Sequence, residues 1–121
     1  MALDIKEDVR VDILIVSLDG ELDSSTAPIL FAKLKENIRE KKFKKVIFNM
    51  NGLKFISSAG WSVFVETAKI LKENKKGDIR LAQMQEDAKR VYELLGIDAY
   101  IRSYSTLTDA IKSFLESGNE K

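Results

Sequence analysis

Short runs of β-branched and apolar residues alternate along this chain with segments whose apolar residues recur every three or four positions. VDILIVSL at 11–18, closed by Asp19-Gly20, has the make-up of a strand, with a weaker one before it at Leu3 to Lys6 and a polar turn near Glu7 to Arg10. From Ala27 the period changes: Ala27, Leu30, Phe31, Leu34 and Ile38 form a helical stripe, with Ser24 or Ser25 as candidate cap and Pro28 in the first turn. VIFNM at 46–50 reads as a buried strand ending at the turn Asn51-Gly52. Phe64, Ala68 and Leu71 then mark a second helix, flanked by Val63 and Ile70 and stopping near Lys76-Gly77. A strand at about Ile79 to Ala82 follows, and a third helix carries Ala88, Val91, Leu94 and Leu95 up to Gly96. Tyr100-Ile101 would be a last short strand, and Thr106 with Asp109 a variant capping box ahead of Leu107, Ala110, Ile111, Phe114 and Leu115. The polar end SGNEK at 117–121 is expected to fray.

Strands alternating with helices require an α/β sheet whose later strands run parallel, while the first two form an antiparallel hairpin at its edge. The expected architecture is one α/β domain over residues 1–121, with a mixed sheet of four to five strands and about four helices.

Composition removes most catalytic chemistry. The absence of histidine excludes a Ser-His-Asp triad and an imidazole proton shuttle, and the absence of cysteine excludes thiolate metal sites and thiol nucleophiles. Carboxylate pairs, a Ser-Lys arrangement or an oxygen-ligated Mg²⁺ stay open, but no phosphate-binding Gly-Lys-Ser/Thr spacing occurs. Lys and Arg number 20 against 19 Asp and Glu, a net charge of +1 that does not suit a nucleic-acid binder. No apolar stretch is long enough to span a bilayer, so the chain is expected to be cytoplasmic, with neither membrane nor nucleic acid as partner. No cofactor or metal is expected.

The remaining feature is FISSAGW at 55–61, where two serines and a glycine separate a strand from a helix. A helix start needs an oxygen to cap its unpaired N–H groups, which accounts for one serine, and Gly60 allows close packing. The other hydroxyl would be exposed at the positive end of a helix dipole, where an attached phosphate is tolerated.

VIFNMNGLKFISSAGWSVF at 46–64, GELDSSTAP at 20–28 and LLGIDAYIRSYSTLTDAI at 94–111 resemble the STAS family, in particular the bacterial anti-sigma-factor antagonists. Their usual signature is a D-S-S-G turn between strand and helix and a G-x-L-D loop before the first helix. The resemblance implies a phosphoprotein whose unphosphorylated form binds an anti-sigma factor with serine kinase activity, releasing a sigma factor, and whose phosphorylated form lets go. The acceptor position falls on Ser58, with Ser57 as second choice; the preceding family Asp is Ser57 here, and the second Ser is Ala59. Asp23 matches the G-x-L-D aspartate, as partner contact or as turn acceptor, and Trp61 lies at the edge of the second helical stripe, as core margin or exposed anchor. The expected docking surface is Asp23, Ser24, Ser57, Ser58, Ala59, Gly60 and Trp61 on a monomer or weak dimer. Two alternatives remain: a STAS module that is not phosphorylated, as scaffold or lipid-transporter partner, and an enzyme with Ser57 or Ser58 as nucleophile.

Overall fold

The computed structural model describes residues 2–118, without the side chains of residues 74, 75, 117 and 118; the expected fraying at 119–121 lies outside the described residues. Five strands, β1 (Leu3–Arg10), β2 (Ile13–Leu22), β3 (Lys45–Ile56), β4 (Asp78–Ala82) and β5 (Arg102–Tyr104), form one sheet in the order of the sequence. β1 pairs antiparallel with β2, and every later neighbour is parallel. Helices α1 (Ala27–Arg39), α2 (Ser58–Ile70), α3 (Glu86–Leu94) and α4 (Leu107–Gly118) complete the expected mixed α/β fold.

The sheet buries both faces, which is why β2 reads as an unbroken apolar run. Leu14, Val16, Leu18 and Leu22 join Leu30, Leu34, Phe48, Phe64 and Leu71 in the larger core, and Ile13, Ile15 and Ile47 meet Ala110 and Phe114 of α4 on the opposite face. Beyond the reach of α4 that second face turns polar, at Ser17, Asp19, Asn49 and Asn51. In α2 the Phe64, Ala68 and Leu71 stripe is buried as expected, and helical geometry continues through a π turn at Leu71–Lys75.

Several boundaries differ from the sequence reading. β1 runs on through Arg10, so the turn is Val11-Asp12 and not Glu7 to Arg10; an edge strand exposes one face and one rim, and charged residues do not end it. Asp19-Gly20 and Asn51-Gly52 do not end β2 and β3. β3 bulges there, with one extra residue opposite Ser17 to Asp19 and another opposite Gly20 to Glu21, and Gly20 takes φ +115°. A Cβ at Gly52 would lie 2.8 Å from Asp19 Oδ2, so a side chain there would have to displace the Asp19 carboxylate.

Neither Ser24 nor Ser25 caps α1; Thr26 takes the cap position. The last strand is Arg102–Tyr104, and Ile101 before it is buried rather than paired. The expected core stripe of α3 is also wrong. Val91, Leu94 and Leu95 are 37%, 83% and 59% exposed, and Tyr92 is the buried residue of that helix, its hydroxyl donating to the Ile101 carbonyl. Gly96 does adopt the left-handed conformation, at φ +75°, and Thr106 Oγ1 does accept from the Asp109 N–H at 3.0 Å.

Candidate functional site

β3 uses 12 residues where β2 uses 10, and Leu22 pairs with Ile56, so the two chains leave the sheet side by side. The Ser57 N–H donates to the Leu22 carbonyl at 2.9 Å and fastens the two departing loops to each other. Asp23 and Ser58, each one residue further on, therefore stand at the same carboxyl end of the parallel strands, where α/β sheets present their binding loops.

The two serines have separate tasks. Ser57 is extended, at φ −85° and ψ 174°, and its Oγ accepts from the Gly60 N–H at 3.3 Å, so it is the cap of α2. Ser58 is the first residue of the helix and is exposed. Its hydroxyl faces solvent beside the unpaired N–H groups of the first turn, the environment that best accommodates an added anion. Gly60 is buried because a Cβ there would come within 2.9 Å of the Leu22 carbonyl oxygen and of Ile56 Cγ2, so α2 can approach β2 and β3 only without a side chain.

Asp23 organises its own loop. Its Oδ1 accepts from the Ser25 N–H at 2.9 Å, the Ser25 hydroxyl at 2.8 Å and the Thr26 N–H at 3.1 Å. The Ser25 hydroxyl, followed by the Thr26 amide, holds the Asp23 carboxyl below the usual carboxylate range. Thr26 closes the loop from within, accepting from the Asp23 N–H at 2.9 Å and donating to the Glu21 carbonyl at 2.9 Å. Of the two roles open to Asp23, the turn acceptor is thus realised. Ser24 is exposed beside it.

Trp61 is not an exposed anchor. It is 4% exposed, edge-on to Phe64 at 5.8 Å and stacked on Tyr92 at 6.3 Å, and only part of the indole lines a groove at the surface. Its position one turn after Ser58 placed it near the surface in the sequence, but the aromatic Tyr92 on α3 covers it. Ala59 is half-buried against the core. The structure thus gathers Asp23, Ser24, Ser57 and Ser58 at one end, with Ala59, Gly60 and Trp61 as the support beneath. Thr26 stands two residues before Pro28 in a stretch of good cap and turn formers, whereas nothing local in the sequence marks Tyr92 for burial. Among the described residues no group of three or more carboxylates gathers as a metal would require.

A five-stranded mixed sheet that carries an exposed serine at a helix start, tied to a preorganised acidic loop, defines a small α/β module. The chain belongs to the STAS domain family, whose profile matches residues 3–110. A relative from Paenibacillus polymyxa named anti-sigma F factor antagonist is 23% identical over 111 residues, covering 92% of this chain and 94% of its own. Among solved structures, the Thermotoga maritima protein TM1081 shares the fold at a TM-score of 0.85, with 20% identity over 90% of this chain and 92% of that one. The Bacillus cell fate determinant SpoIIAA in its phosphorylated form shares it at 0.72, with 21% identity over 93% and 99%.

Proposed function

We propose that this protein is an anti-sigma-factor antagonist: unphosphorylated, it binds an anti-sigma factor with serine kinase activity and so frees a sigma factor, and phosphorylation of Ser58 ends that binding. The observation that carries the reading is the division of labour at the helix start. Ser57 is occupied by capping, while the Ser58 hydroxyl is exposed and can be phosphorylated without unfolding the helix. The name of the Paenibacillus relative and the existence of a phosphorylated SpoIIAA support the same reading.

A phosphate adds about −1.5 to −2 charges at neutral pH. It sits comfortably at the helix terminus, so the fold survives, but a partner closing over it must strip its water, and an unpaired buried charge costs several kcal/mol. Every 1.4 kcal/mol is about tenfold in affinity. The protein acts as a substrate and switch and not as a catalyst, and it works in the cytoplasm beside the transcription machinery; no helix among the described residues is long and apolar enough to cross a membrane.

The test is phosphorylation by the partner kinase with ATP, read by mass spectrometry and calorimetry. One phosphate on Ser58 is expected, Ser58→Ala should prevent it while keeping association, and Ser58→Asp should bind at least roughly tenfold more weakly. Phosphate on Ser57 alone, or undiminished binding by Ser58→Asp, would contradict the proposal. No phosphate at all with intact binding would favour the unphosphorylated STAS scaffold.

A further inference from the structure

Between the end of β3 and helix α3 lies a groove of about 400 Å³. Its floor is formed by the buried Leu53 and Trp61, and its two lips carry Phe55, 52% exposed, and Val91, 37% exposed. The α3 wall also presents Glu86 and Asp87, in the first turn of the helix, with Asp87 paired to Arg90 Nη1 at 3.2 Å and Lys54 on the strand wall opposite. Ile56 and Trp61, which flank the serine turn in sequence, both line the groove, so it is continuous with the Ser58 surface.

A large aromatic side chain left half in water beside a hollow floored by Leu53 and Trp61 gains by being covered. Glu86, which forms no ion pair among the described residues, selects the charge of what covers it. We infer that this groove is the anchoring subsite for the kinase partner, receiving from it one large apolar side chain flanked by a cationic group. This rests on the function proposed above and deepens it: Ser58 decides whether the partner stays, and the groove decides which partner fits.

The test is calorimetric titration of the purified serine kinase that phosphorylates Ser58 into wild type, Phe55→Ser, Val91→Ser and the double variant Glu86→Lys/Asp87→Lys. All four positions are exposed, so folding should persist, as circular dichroism would verify. Each groove variant should bind roughly tenfold or more weakly, and the charge-reversed one should also lose salt dependence. Leu115→Ser, on the opposite face, should bind as wild type does. Groove variants that bind normally overturn the inference, and if Ser58→Asp still fails to bind in that case, the switch stands without the groove. Weakened groove variants with a fully binding Ser58→Asp would instead keep the docking site and remove the switch. Light scattering covers the remaining occupant: a self-dimer dissolved by Phe55→Ser, with kinase affinity unchanged, would assign the groove to a second copy of this chain and overturn the inference.

Discussion

At Ser57 and Ser58 two identical side chains, one residue apart, are given opposite fates by a single helix boundary. Ser57→Ala removes the cap and should cost about 1 kcal/mol, a fall of roughly 4 °C in melting temperature, while leaving phosphorylation on Ser58. Displacement of the phosphate to another residue in that variant would show that the cap also selects the acceptor. Asp23 has a pH signature. Its carboxyl titrates below the usual range when folded, so its contribution is fully present above the unfolded value and is lost as pH falls through the folded one. Acid titration followed by NMR should show the Ser25 and Thr26 amides shifting together below about pH 4. Asp23→Asn keeps an acceptor oxygen and should leave thermal stability nearly unchanged while weakening the partner; a large loss of stability with normal binding would make Asp23 a structural cap alone.

Among the elements, legibility followed how many neighbours a segment needs in order to make sense. The stripes of α1 and α2 were plain in the sequence because one buried face fixes a 3.6-residue period. The strand ends were not. Asp19-Gly20 and Asn51-Gly52 carry the composition of turns, yet both strands continue, because β3 absorbs two extra residues as bulges against β2, a fact held by the pair and by neither segment. The exposed apolar residues of α3 imitated a core stripe, and only the position of Tyr92 over Trp61 distinguishes the true buried side. The serine turn was legible as the junction of a strand and a helix, whereas separating the exposed serine from the capping one needed the helix start to within one residue. The hairpin turn was hidden by Val11, a β-branched residue at φ 59° and 80% exposed, in the first loop position, where a II′ turn favours glycine. Val11→Gly relieves that conformation without losing packing and should raise stability by about 1 kcal/mol in urea denaturation; no change would mean the backbone there relaxes freely.

In the whole molecule, the serine turn and the core meet at Gly60, a residue of α2 set against Leu22 of β2 and Ile56 of β3. Gly60→Ala should therefore cost about 1–3 kcal/mol, since a methyl group would press on the Leu22 carbonyl and cannot be relieved by a side-chain rotation alone. It should also disturb partner affinity through the displaced serine turn, and normal stability together with normal binding would contradict this account. The order of the sheet has a different consequence. Because the strands lie in space as they lie in the chain, no strand must be threaded between two already paired. Each new βα unit can be added to the growing rim as synthesis proceeds, so the sheet can assemble from one edge to the other while the ribosome is still adding residues.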